Sequence, residues 1–114
     1  SPLAAILIGA VGGIIVVYGT KFLLAMKIDD VVGAIPAHLF AGIWGTLAVP
    51  ITNSGASFGT QLLGVVSINA FVFIVSFIVW FLMKSTFGIR LSKEGETKGT
   101  DVTETGVIAY AIRD

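Results

Sequence analysis

One histidine stands alone in a long stretch of the sequence that carries no formal charge. His38 is the only histidine of the chain, and no Asp, Glu, Lys or Arg occurs between residues 31 and 83. A neutral imidazole in apolar surroundings has one hydrogen-bond donor and one acceptor to satisfy, and burial disfavours its protonated form. Ionisable side chains inside a membrane usually face a cavity or a partner. His38 is therefore a candidate for lining a pathway or handling a proton.

Two other roles for His38 stay open on the residues alone. The ring could be a helix-packing side chain that is hydrogen-bonded to a neighbouring helix. Metal binding fits less well, because no second His, Cys or carboxylate lies three or four residues from His38. The chain also contains no cysteine, so it has neither disulfides nor thiolate ligands. We expect no metal site and no cofactor.

Small residues flank His38 at helical spacing. Positions 34, 38, 41, 42 and 45 share one face of an α-helix, and apart from the histidine they are alanine or glycine. Pro36 lies in the same stretch and predicts a bend or a locally opened turn. Asp30 is placed to accept hydrogen bonds from the unpaired amides of the first turn. The combination of a groove, a bend and a lone imidazole favours the pathway interpretation.

The distribution of charge predicts the elements that position these residues. Of the 114 residues, 55% are hydrophobic and 12% are charged, about half the charged share of a typical soluble domain. A membrane-spanning helix needs about 20 apolar residues, and the uncharged blocks accommodate three, at about residues 3–20, 31–49 and 60–83. We expect an all-α membrane protein with its transmembrane part at residues 1–86 and a polar tail at residues 87–114.

Glycine, proline and basic residues add detail to this arrangement. Gly9, Gly12 and Gly13 predict close helix packing in the first span, and Pro50 predicts the end of the second. Basic residues occur in the first connection and after the last span, at Lys21, Lys27, Lys84, Arg90, Lys93 and Lys98. The positive-inside bias therefore predicts an N-terminus outside and a cytoplasmic tail. The net charge is zero, which gives no reason to expect a nucleic-acid partner.

The sequence also contains four longer stretches in a characteristic order: SPLAAILIGAVGG, DDVVGAIPAHLFAGIWGTL, FGTQLLGV and FGIRLSKEGETKGTDVTETGVIAY. Together they resemble the C-terminal end of ammonium transporters of the Amt/Mep/Rh superfamily, over essentially the whole chain. The resemblance implies an eleven-helix fold, of which these spans would be the last three. It also implies a multi-pass protein of the cytoplasmic membrane, a homotrimer that transports ammonium and is not an enzyme. The Ser-Pro start suggests a piece of a longer chain whose N-terminal helices are missing here.

The resemblance gives roles to three residues near the second span. It implies that His38 is one of a pair of histidines lining a narrow hydrophobic conduit, with its partner on an earlier helix outside this sequence. It implies that Asp30 supports the pore structurally and that Ala34 faces the conduit. An ammonium ion is costly to desolvate in such a conduit and neutral ammonia much less so. Neutral imidazoles could therefore hold ammonia by hydrogen bonds and relay a proton separately.

For the tail, the resemblance implies a regulatory region that docks beneath the pore and onto a neighbouring subunit. Asp101 and Gly106 match its motif, and Thr103 aligns with a threonine that is phosphorylated in plant members. An ordinary exposed threonine is the alternative for Thr103. A PII-type signalling protein is a candidate partner at the cytoplasmic face.

Two alternatives to transport are kept open. One is an ammonium sensor of the same fold that signals through a cytoplasmic partner. The other is a small three-span subunit unrelated to ammonium.

Overall fold

The computed structural model of this protein describes residues 1–109, and residues 110–114 of the predicted tail lie outside them. The described chain is built of helices joined by turns. The α-helices are α1 (Pro2–Ala25), α2 (Ala41–Thr52), α3 (Phe58–Thr86) and α4 (Lys93–Lys98), and two π-helical segments span Ile35–Phe40 and Asp101–Thr105. By its internal contacts the chain divides into two compact units, residues 1–72 and the part that begins at Phe73.

Among residues 1–109, three helices are long and apolar enough to cross a membrane. They are α1, α3 and the continuous helix formed by the first π segment and α2, over Ile35–Thr52. Hereafter this continuous helix is called the second span. The all-α fold with three candidate spans is thus the one that the charge distribution predicts.

The first span is longer than the uncharged block that predicts it. Helix α1 begins at Pro2, where the Ser1 hydroxyl accepts a hydrogen bond from the Ala4 amide at 3.3 Å. Proline suits this first turn because its missing N–H would have no helical partner there. The helix continues past residue 20 through Ala25, so Lys21 lies within it and not at the edge of a loop.

The second span begins later than expected, because the backbone reverses just before it. Gly33 has a left-handed φ of +68°, a conformation that glycine adopts readily, and the helical turns follow it. Pro36 is fully buried in the first turn of the π segment. A π segment is a locally widened helix, so the opened turn predicted near Pro36 is present.

The prediction that Pro50 ends this span is wrong. Helix α2 continues to Thr52, and Asn53 then adopts an extended conformation. Proline has a φ that suits a helix, and its cost lies in the ring clash and the lost N–H. The helix therefore needs another donor near Pro50.

Helix α1 packs against the second span at a point that the sequence pattern did not indicate. A Cβ atom on Gly19 would lie 2.6 Å from the Phe40 ring and 3.2 Å from the Pro36 Cβ. By contrast, Cβ atoms on Gly9 and Gly13 would meet nothing within 4 Å, and one on Gly12 would meet Trp44 at 3.9 Å. Between α1 and the second span, close approach is therefore centred on Gly19 and not on the glycine cluster that the sequence singled out.

A polar contact joins the same two helices nearer the start of α1. The Trp44 indole N–H donates to the Ile8 carbonyl oxygen at 3.0 Å. Because Ile8 keeps its place in the helix, this carbonyl uses its second lone pair for the indole. The bond sets the register of the second span along α1.

Helix α3 exposes apolar side chains along its whole length. Phe73, Phe77 and Phe81 stack one turn apart, with ring centroids separated by 6.3 Å and 6.4 Å. Such a surface suits hydrocarbon better than water, because its side chains are apolar and the interior of the helix pairs its own backbone polar groups.

Candidate functional site

The carboxylate of Asp30 holds the start of the second span. Its Oδ1 accepts a hydrogen bond from the Ala34 amide at 2.9 Å, and its Oδ2 accepts one from the Ile35 amide at 2.7 Å. These amides precede or begin the helix and have no helical acceptor. A charged acceptor forms the stronger class of hydrogen bond. Asp30 thus provides the amide capping that its position in the sequence predicts.

The imidazole of His38 is oriented by its own helix. Its Nδ1 lies 3.0 Å from the Ala34 carbonyl oxygen. A carbonyl oxygen only accepts hydrogen bonds, so Nδ1 must carry a proton, and in the neutral ring Nε2 is then the acceptor. Within residues 1–109 no hydrogen bond to Nε2 is recorded. The neutral ring therefore offers a lone pair at Nε2.

The three residues that the sequence singled out near the second span are connected through Ala34. Its N–H donates to Asp30 and its carbonyl accepts from His38. The contribution of Ala34 is thus made by its backbone, and its side chain is exposed. The result is a chain of hydrogen bonds from the capping carboxylate to the ring.

His38 lines a groove of about 320 Å³ between the second span and α3, called here the His38 groove. The second span contributes His38, Leu39, Gly42, Ile43 and Thr46, and α3 contributes Gln61, Gly64, Val65, Ile68 and Asn69. All of these residues belong to the first compact unit. The groove is largely apolar, with the imidazole, one hydroxyl and two amides as its polar groups.

The groove does not coincide with the face of small residues that the sequence predicts. His38 and Gly42 belong to both, whereas Ala34, Ala41 and Gly45 are not among the lining residues. Larger side chains, those of Leu39 and Ile43, take their place.

Three polar lining residues, Thr46, Gln61 and Asn69, were not identified from the sequence as parts of the site. Gln61 donates from Nε2 to the Thr46 carbonyl oxygen at 2.9 Å, and Asn69 donates to the Val65 carbonyl in its own helix at 2.8 Å. The signal that could have found them is their spacing. Gln61 and Asn69 lie two turns apart on α3, so their side chains share one side of the helix.

The tail folds back on itself in the second unit, over residues 90–109, and this segment is called here the hook. The Thr103 hydroxyl donates to the carbonyl of the buried Gly95 at 3.1 Å. Gly106 ends the second π segment with a left-handed φ of +69°, and the carboxylate of Asp101 accepts a hydrogen bond from the Ala109 amide at 2.8 Å. The residues predicted from the tail motif are therefore brought into one local structure.

An ion pair braces the start of this hook. Arg90 donates to Glu96 through both Nε and a terminal nitrogen, the latter at 3.1 Å. The hydrogen bonds from Arg90 lower the pKa of the Glu96 carboxyl, and the same contact raises the pKa of Arg90. Because both groups are exposed, the pair orients the chain more than it stabilises it.

Comparison with known proteins identifies the family. A family model described as the Ammonium Transporter Family matches residues 1–110. This chain belongs to the ammonium transporter family. The membership confirms the resemblance drawn from the sequence motifs, and with it an all-α membrane protein.

Individual relatives agree with this membership. Ammonium transporter Amt2 of Archaeoglobus fulgidus is 33% identical, over 96% of this chain and 28% of its own length. Ammonium transporter Amt1 of Haloferax mediterranei is 36% identical, over 92% of this chain and 21% of its own length. Ammonium transporter Amt1 of Archaeoglobus fulgidus is 32% identical, over 93% of this chain and 30% of its own length. The chain thus spans between a fifth and a third of the length of these relatives.

Proposed function

We propose that this chain is the C-terminal part of an ammonium transporter that moves ammonium or ammonia across the cytoplasmic membrane along a pathway that includes His38. The proposal is supported by family membership over residues 1–110 and by relatives named as ammonium transporters. Those relatives are several times longer than the stretch they share with this chain. Further helices of the full-length protein would therefore complete the pathway and supply a partner for His38.

The observation that carries the proposal is the hydrogen bond from His38 Nδ1 to the Ala34 carbonyl. It leaves Nε2 as a hydrogen-bond acceptor. This suits an ammonium ion, which has only N–H donors. In apolar surroundings an ammonium ion pays a large desolvation cost, whereas ammonia pays a small one. The ring would hold the substrate nitrogen by hydrogen bonds. It would accept the proton of an ammonium ion at the point where the ion separates into ammonia and a proton.

Asp30 and Ala34 would act by positioning the ring. The Asp30 carboxylate anchors the amides at the start of the π segment, and Ala34 supplies the carbonyl that orients the imidazole. In the complete protein the small side chain of Ala34 would also leave room along the conduit. Asp30 would thus support the pore without contacting the substrate.

The proposal extends to topology and assembly. Lys21 near the end of α1, Lys27 just after it and the basic residues of the tail would lie on the cytoplasmic side, and the N-terminus of this chain would lie outside. The eleven-helix subunits would form a homotrimer, with the hook of the tail docked beneath the pore and accessible to a PII-type partner. A phosphate on Thr103 would remove the hydroxyl donor to Gly95 and add negative charge close to Asp101 and Glu104.

The test uses the full-length protein that carries this chain, expressed in cells that lack their own ammonium uptake. Wild type should restore growth on limiting ammonium and deplete ammonium from the medium. His38→Leu should lower the depletion rate about tenfold or more, because the ring can then no longer form a hydrogen bond with the substrate. His38→Gln, which keeps an acceptor, should retain more activity. Protein abundance in the membrane is measured for each variant.

Leu63→Met is the matched control, since Leu63 does not line the His38 groove and the change alters no hydrogen bond, and it should behave like wild type. Unchanged uptake in His38→Leu would return His38 to a packing role. A wild type that never transports but changes a cytoplasmic output with ammonium would favour the sensor.

A further inference from the structure

We infer that Gln61 supplies the hydrogen-bond donor that Pro50 lacks, and that this bond fastens α3 to the second span at one end of the His38 groove. The Gln61 side-chain amide donates from Nε2 to the Thr46 carbonyl oxygen at 2.9 Å. Pro50 lies four residues after Thr46, inside helix α2. The bond therefore reaches the very carbonyl that a proline at position 50 leaves without a donor.

The argument rests on how helices pair their backbone groups. In an α-helix the N–H of each residue donates to the carbonyl four residues earlier, and proline has no N–H to give. Inside a membrane span an unpaired carbonyl is expensive, because no water is present to satisfy it. The Thr46 hydroxyl cannot serve its own carbonyl, since it donates to Gly42 at 2.9 Å. An external donor is needed, and Gln61 provides it.

The donor comes from the neighbouring helix, which gives the bond a second role. Gln61 is half-buried in the first turn of α3. In the described part of the chain its bond to Thr46 is the one hydrogen bond between α2 and α3. Gln61 and Thr46 both line the His38 groove. The bond that replaces the donor missing at Pro50 therefore also sets the spacing of the two groove walls.

If the proposed transport function holds, Gln61 is a positioning residue for it. The residue would act through the placement of α3 beside His38 and would not contact the substrate. This second statement rests on the proposed function, whereas the bond that replaces the missing donor does not.

The test is a double-substitution cycle in the full-length protein, read out as the thermal unfolding midpoint in detergent. Gln61→Met keeps the side-chain length but removes the donor, and should lower the midpoint by about 1–3 °C. Pro50→Ala restores a backbone N–H at position 50. In the Pro50→Ala background, Gln61→Met should cause a clearly smaller loss, because the Thr46 carbonyl then keeps a backbone donor and only the bond between the helices is removed. An equal loss in both backgrounds would overturn the inference.

Asn69→Leu is the matched control on the same helix. Its amide bonds to Val65 within α3, so its effect on the midpoint should be the same with Pro50 and with Pro50→Ala. Rescue of Asn69→Leu by Pro50→Ala would mean that the alanine stabilises α2 generally, and the inference would fail.

Ammonium depletion by the same variants separates the two statements. Gln61→Met should slow depletion severalfold, both with Pro50 and with Pro50→Ala, because the bond that places α3 beside the second span is lost in both backgrounds. If the thermal cycle gives the expected coupling but Gln61→Met transports normally, the positioning role is refuted and the replacement of the donor stands. If wild type does not transport at all, the proposed function fails, and the thermal cycle still decides the inference.

Discussion

The close contact at Gly19 makes the packing of α1 on the second span open to a direct test. Gly19 is one of the two buried residues of α1, the other being Leu23. Replacing Gly19 by alanine adds a single methyl group at the tightest point of the helix pair. We expect Gly19→Ala to destabilise the protein.

The size of the effect follows from the distances around the added atom. The new Cβ would lie 2.6 Å and 3.2 Å from two atoms of the Phe40 ring and 3.2 Å from the Pro36 Cβ. The Phe40 ring would have to move by about 1 Å to restore ordinary contact, and the Pro36 ring has little freedom to follow. Overpacking of this kind costs about 1–3 kcal/mol. Alanine recovers about 1 kcal/mol through its better helix propensity, so the net loss should be about 0–2 kcal/mol.

The assay is the free energy of unfolding in mixed detergent micelles, with Gly13→Ala as the matched control. A Cβ on Gly13 would meet nothing within 4 Å, so this variant should be neutral or slightly stabilised by propensity alone. In a Phe40→Leu background the cost of Gly19→Ala should shrink, because the smaller side chain leaves room. Equal stability of Gly19→Ala and Gly13→Ala would refute the close approach at Gly19.

Two further outcomes follow from the capping carboxylate and from the tail ion pair. Asp30→Ala should lower the free energy of unfolding by about 1–2 kcal/mol, because two amides lose their acceptor. Asp30→Asn should lose less, since its side-chain amide oxygen still accepts a hydrogen bond. Equal losses in the two variants, measured by the same unfolding assay, would count against the capping. Because Arg90 lowers the pKa of Glu96, the ion pair should be fully formed above the ordinary glutamate value near 4.5 and should be lost as the pH falls through the lowered pKa. Amide exchange in α4 should therefore accelerate only at that acidic pH, and the acceleration should be absent in Glu96→Gln.

The three spans could be predicted from the sequence because they depend on local composition. An uncharged apolar run that is long enough to cross a bilayer forms a helix whatever surrounds it, since the backbone must pair internally. The ends of the helices could be predicted less well from the sequence. Lys21 does not end α1, because one charged residue near a membrane surface can extend its side chain toward water.

Parts of the site that depend on a single helix could also be predicted. Asp30 was placed as a capping residue and Pro36 at an opened turn, and the structure has both features. The continuation of the helix past Pro50 could not be predicted in the same way. Its missing N–H is replaced by Gln61, whose distance from Thr46 depends on how the intervening loop folds.

The second span also shows why helical periodicity alone could not locate the groove. Phe40, Trp44 and Ala48 recur at four-residue spacing on the side toward α1, as the contact with Gly19, the bond to Ile8 and the burial of Ala48 indicate. The side toward α3 carries the residues that line the His38 groove, from His38 to Thr46. Gln61 donates a hydrogen bond to the Thr46 carbonyl on this side.

The face of small residues at positions 34, 41 and 45 lies between these two sides, and no atom lies within 4 Å of a Cβ built on Gly45. His38 and Gly42 sit where this face meets the groove. Periodicity identifies the faces of one helix, because it depends only on the geometry of that helix. The assignment of each face to a neighbour depends on tertiary bonds such as those of Trp44 and Gln61. A polar side chain at the boundary of two faces, as His38 is, can therefore be placed only once both neighbours are known.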